Sequence, residues 1–148
     1  MATKNISNRT VIKETQFLDL VQTSGFHSFQ ANKKNLDFER FYFEEKLVNE
    51  INIAALIPVR KIFHATDCDS VARIYFSKLE ALKRFQLGDI VGLRSSIVKL
   101  ENNSIHVVVN ISREDIQGNI EIITNVKLVF ITLQNGYPRL HKMRLNYN

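Results

Sequence analysis

The chain is poor in the residues that would commit it to a specialised class. Its one cysteine, Cys68, excludes an intramolecular disulfide and fits a reducing compartment, so a cytoplasmic location is expected. There is no tryptophan, and only two prolines and five glycines stand among 148 residues, which excludes collagen-like and proline-rich linker classes. No window approaches 18 consecutive apolar residues, so no membrane-spanning helix is expected. No apolar run follows Lys4, so no secretory leader is expected either. The four histidines, His27, His64, His106 and His141, are too dispersed to predict a metal site.

What is present suits one globular domain over 1–148, with a polar, disordered tail over 1–9. Hydrophobic residues make up 45% of the chain, enough for a real core. The net charge of +5 would suit a polyanion. Its carriers are scattered, however: Lys33–Lys34, Arg60–Lys61, Lys83–Arg84, and Arg139 to Arg144. No zinc-finger, glycine-loop or RNA-recognition pattern accompanies them, so nucleic acid is not the expected partner. A small polyanionic ligand is compatible with the same charge.

The periodicity changes once along the chain. Residues 10–21 alternate roughly and predict a first strand, and 22–40 read as a loop. Residues 41–62 carry a helical period, with Leu47, Ile51, Ala54, Ala55 and Pro58 on one apolar face. Pro58 is expected to kink or end that helix. Asn52 falls at the edge of the apolar face, beside Val48, Ala55 and Val59, where an amide needs hydrogen-bond partners. Glu44 and Glu45 suit a first helical turn, where acids complement the helix dipole.

After residue 69 the period is two. Strands are predicted over 70–82, 89–101, 104–114 and 118–133, joined by turns at 101–104 and 115–119. Ile105, Val107, Val109 and Ile111 share one face. Ile120, Ile122, Thr124, Val126, Leu128 and Phe130 are expected to share another, opposite Glu121, Ile123, Asn125, Lys127 and Val129. The expected class is therefore α+β, one long helix wrapped by a mainly antiparallel sheet of about five strands. One helix covers only one sheet face, so the other face and the sheet edge call for another subunit.

Three ordered segments resemble the hot-dog fold acyl-CoA thioesterases of the cytosolic acyl-CoA hydrolase type. Residues 81–89, "ALKRFQLGD", match a segment of the form F-L-[KR]-P-x-x-x-G-D, with Arg84 where proline is usual. The turn Glu101-Asn102-Asn103-Ser104 stands where these proteins carry a small G-x-T-S turn. "FITLQNGYP", 130–138, matches their closing strand. The resemblance covers about residues 60–140 well and the first 60 poorly.

That resemblance implies a central hot-dog helix entered through a glycine pair and carrying an aspartate. Here Glu44 and Glu45 stand at the glycines and Asn52 at the aspartate. An amide has no basic lone pair for taking a proton from water. Glu45 lies on the same helix face as Asn52, about 10 Å along the axis, too far to share one water with it. By the same resemblance, Lys83, Arg84, Asn103 and Ser104 are candidates to hold the nucleotide part of coenzyme A. Coenzyme A would enter as part of the substrate or ligand, and no separate cofactor is implied. Two readings follow. One is a thioesterase-like enzyme acting on acyl-CoA or an acyl-carrier-protein thioester, as a homodimer or a multiple of dimers. The other is a non-catalytic acyl-thioester-binding or assembly subunit.

Overall fold

The computed structural model describes residues 16–18, 23–31, 39–80 and 84–145. The expected tail over 1–9 and most of the expected strand over 10–21 lie outside them. The elements in chain order are β1 (Gln16–Leu18), β2 (Ser24–Gln30), α1 (Glu39–Ala65), β3 (Ser70–Phe76) and β4 (Ile90–Leu100). They continue with β5 (Ser104–Glu114), β6 (Ile120–Gln134), β7 (Tyr137–Pro138) and β8 (Met143–Leu145). The main sheet has the order β2-β4-β5-β6-β3, with β7 folded back on the end of β6. Every pairing in it is antiparallel, while β1 and β8 form a short parallel ribbon.

Helix α1 packs against one face of this sheet. Phe43, Leu47, Ile51, Ala54, Ala55, Val59 and Ile62 are buried in one core with Leu93, Val107, Val109 and Val126. The helix continues through Pro58 instead of stopping there. A proline inside a helix costs about 3 kcal/mol. Burying side chains such as Leu47, Ile51, Val59 and Ile62 stabilises by about 1.5–3 kcal/mol each, which outweighs it.

The strand predicted over 70–82 ends at Phe76, and two further expectations fail for identifiable reasons. Residues 24–30, read as loop, form strand β2, paired with β4 from Ser24↔Ser96 to Gln30↔Ile90. Glycine, serine and histidine give that segment little intrinsic β preference, and the pairing with β4 supplies what it lacks. The inward alternation of Ile120 and Ile122 with Val126 also fails. The ladder between β5 and β6 shifts between Ile111 and Ser112, where Ser112 faces Ile122 and Ile111 faces Thr124. The extra residue, Ile123, is a bulge that turns into the core. It sends Ile120 and Ile122 to the outer face, which α1 does not cover.

The chain direction sets the ends of the molecule. β2 ends beside Ile90, and the start of α1 follows at the same end, where Phe43 packs on Phe85 with ring centroids 5.2 Å apart. The turn 101–104 lies at the far end of β4, about 30 Å away by strand length.

Candidate functional site

The first turns of α1 carry the candidate site. Glu44, Glu45, Val48 and Asn49 line a cavity of about 300 Å³ there. Both glutamates are exposed. Asn52 stands one turn further along the same side of the helix and is partly buried. Its Nδ2 donates to the carbonyl of Val48 (3.1 Å), and its Oδ1 accepts from Arg73 Nη1 on β3 (2.9 Å). Arg73 lies over the ring of Phe76, 4.9 Å from its centroid. The amide at the edge of the apolar face is therefore satisfied at both ends.

This pairing changes the chemistry expected at position 52. The side-chain oxygen is occupied by a cation, and the nitrogen is a donor only. A carboxylate placed there would gain a guanidinium partner, which favours its charged form and makes it a weaker base. Arg73 was not legible as a site residue, since its contact with Asn52 spans 21 residues and depends on how β3 lies against the helix.

The four nucleotide candidates do not come together within one chain. Lys83 lies outside the described residues. Arg84 is exposed at the α1 N-terminal end and ion-paired with Glu121. Glu121 also meets Arg113 Nη1 (3.5 Å), and Arg113 Nε holds the buried Asp89 (2.9 Å). Asn103 and Ser104 are at the opposite end of β4. Asn103 is exposed, and its carbonyl accepts from the Thr132 amide (2.9 Å). Ser104 is buried, and its hydroxyl donates to Glu101 Oε1 (3.1 Å). His106 Nε2 meets the same carboxylate oxygen (3.0 Å). Hydrogen bonds from His106 and Ser104 hold the Glu101 carboxyl below its ordinary range. These three groups do not form a nucleophilic triad, because acid and hydroxyl address the same imidazole nitrogen.

His141 fixes this turn from beneath. Its Nδ1 accepts from the Met143 amide (2.9 Å), so the ring proton sits on Nε2 and donates to the Ser104 carbonyl (3.1 Å). Burial, reinforced by the charge of Arg144, pushes its pKa below the usual 6.5. A folded-state value below the unfolded one means that the unfolded chain takes up the proton first. The stabilisation is thus complete above about pH 6.5 and is lost as pH falls towards the lowered value. An NMR titration of the His141 ring should give a midpoint clearly below 6.5. A midpoint at or above 6.5 would contradict the tautomer and burial described.

Sequence reasoning also missed a buried carboxylate. Glu50, on the β2 side of α1, meets Lys46 Nζ (3.1 Å) and His27 Nε2 (3.4 Å). The Lys46–Glu50 spacing was readable as a helical i,i+4 pair. The histidine was not, because its segment gave no strand signal. Among the described residues, no group of three or more His, Cys, Asp or Glu side chains is placed to hold a metal ion. No helix among them is long and apolar enough to cross a membrane.

No family model matches the chain, and a search of curated proteins gives no significant match. Solved structures do match. An acyl-CoA hydrolase from Bacillus cereus is 15% identical, with a TM-score of 0.72 over 90% of this chain and 80% of that one. A mutant acyl-CoA hydrolase from Staphylococcus aureus in complex with coenzyme A is 18% identical, with a TM-score of 0.73 over 90% and 79%. A hexameric thioesterase from Yersinia pestis is 17% identical, with a TM-score of 0.64 over 77% and 91%. One long helix seated in an antiparallel sheet of order β2-β4-β5-β6-β3, matched over nine-tenths of the chain, is the hot-dog fold, and this chain has it.

Proposed function

We propose that this chain is an acyl-CoA thioesterase-like protein that binds fatty acyl thioesters along the N-terminal half of α1, with Asn52 in place of the usual aspartate. The observation that carries the reading is the cavity beside Glu45, Val48 and Asn49, one turn from Asn52. It lies on the helix of a fold shared with acyl-CoA hydrolases, one of them solved with coenzyme A. In this chemistry, N–H groups at a helix start stabilise the oxyanion while a base activates water. Here the first role has a place and the second has no group, since Asn52 is held by Arg73. The second reading, a non-catalytic acyl-thioester-binding or assembly subunit, shares the fold and the ligand and differs in having no turnover.

The ligand is a thioester of coenzyme A or of a carrier protein, and the assembly is a homodimer or a multiple of dimers. The open edge of β3 supports pairing through the sheet, since among the described strands β3 pairs only with β6. Hexamers are known among the similar structures. A cytoplasmic location fits the single free, buried Cys68.

Calorimetry with a series of acyl-CoAs, run beside a thiol-release assay, tests the reading. Binding without brisk release is expected, and failure of every acyl-CoA to bind would overturn it. Charge reversal at Lys83 and Arg84 together should weaken binding severalfold and flatten its salt dependence. Glu121→Gln should do the reverse, because it frees Arg84 from its present partner.

A further inference from the structure

The sheet face turned away from α1 carries a cavity of about 380 Å³ near the turn 101–104, which the thioester reading does not use. That volume falls in the range of small-molecule sites, roughly 300–1,000 Å³. Four strands build it. One register level runs Lys99↔His106, His106↔Val129 and Val129↔Tyr75 across β4, β5, β6 and β3. The next level carries Val108↔Lys127. The bulge between Ile97 and Lys99 adds Val98, which is 48% exposed and lines the same cavity. Val98, Val108 and Val129 thus form an apolar strip running obliquely over β4, β5 and β6 and ending at the Tyr75 ring.

The polar groups along this strip differ in what they already hold. At the β4 end, Glu101 lies 3.0 Å from His106 Nε2 and 3.8 Å from Lys99 Nζ, so both of those groups have a carboxylate partner. At the β3 end, the Lys127 ammonium and the Tyr75 hydroxyl have no partner among the described residues. Tyr75 faces Val129, and Lys127 stands two residues before Val129 on β6, so the two are diagonal neighbours. Such neighbours are about 7–8 Å apart, a gap that aromatic and long side chains span. One cation and one neutral donor therefore converge beside an apolar strip two to three strand spacings long, about 10–14 Å. Glu101 stands at the opposite end and repels a second negative charge, which disfavours nucleotides and other polyanions.

We propose that this cavity binds a free monocarboxylic acid with a medium-length apolar tail. The acid group sits between Lys127 Nζ and the Tyr75 hydroxyl, and the tail lies along Val129, Val108 and Val98. The ammonium supplies a charge-assisted hydrogen bond and the phenol a second donor, which together fix the head. Covering the valines removes apolar surface from water and holds the tail. The site is on the opposite side of the sheet from Asn52 and does not depend on the thioester chemistry. Edge pairing through β3 leaves it open, because the cavity faces out of the plane of the sheet.

The test is a titration of the full chain with octanoate, followed by NMR of its valine methyl groups, with octanol as the uncharged control. Octanoate should shift the Val98, Val108 and Val129 methyls to saturation, and octanol should bind at least about tenfold more weakly. Lys127→Met keeps the stem and removes the charge, and should weaken octanoate binding by about tenfold or more. Tyr75→Phe keeps the ring and should weaken it severalfold. Lys99→Met should change it by less than about twofold, since that ammonium already has Glu101. Equal binding of octanol, or no loss in Lys127→Met, overturns the proposal. So does an equal loss in Lys99→Met and Lys127→Met, which would mean unspecific attraction by positive charge. Shifts confined to the Val48 methyls would put the acid on α1 and overturn it as well.

Discussion

Asn52→Asp combined with Arg73→Gln should raise acyl-CoA hydrolysis by about 10²-fold or more over the wild type in a thiol-release assay. General-base assistance is worth typically 10²–10⁴-fold, and the wild-type amide supplies none. Asn52→Asp alone should gain much less. Arg73 Nη1 sits 2.9 Å from the Asn52 oxygen and would pair with the new carboxylate, holding it ionised and weakly basic. Removing the guanidinium charge releases the base. Adding Glu44→Gly and Glu45→Gly should increase the rate again by opening the helix start to the thioester carbonyl. Each glycine costs up to about 1 kcal/mol of helix stability. Brisk turnover by the wild type that survives Asn52→Ala would place the site elsewhere, and Glu45 would be the next residue to remove.

The largest loss of stability from one substitution outside the apolar core is expected at Asp89. Its carboxylate is almost fully buried, accepting from the Gln86 amide (2.7 Å) and lying against Arg113 Nε (2.9 Å) and Nη2 (3.3 Å). Asp89→Ala leaves Arg113 mostly buried without that partner. Breaking a buried pair by removing one member costs about 3–5 kcal/mol. Guanidinium melts should show that loss, with Glu121 retaining only part of the Arg113 charge interaction. A cost under about 1 kcal/mol would mean that the guanidinium relaxes freely to solvent.

Much of the fold was legible because long elements carry strong periods. Strand β5 spans 104–114, as its alternation predicts, and the helix core at Leu47, Ile51, Ala54 and Ala55 is buried as its face predicts. What was not legible depends on distant partners. β2 is a strand because β4 lies beside it, and Pro58 is tolerated because burial of the helix's apolar face outweighs its cost. The parity of Ile120 and Ile122 depends on a bulge that no short window reveals. At the candidate site, the amide at position 52 could be picked out from the helical period. The arginine that neutralises its chemistry could not, because nothing local joins residue 73 to residue 52.

The seat of the helix on β2 has a consequence for how sequences built on this chain can drift. A Cβ at Gly25 would lie 2.6 Å from Cγ2 and 2.7 Å from Cβ of Ile57, and the second of these is not the end of a flexible side chain. Strand and helix therefore meet at a point where one partner must have no side chain. Positions 25 and 57 form a coupled pair in inheritance: even alanine at 57 keeps the Cβ, so a side chain can appear at 25 only when 57 is glycine or the strand and helix have moved apart. Until then Gly25 is fixed by the space available, although its backbone asks for nothing that other residues cannot adopt.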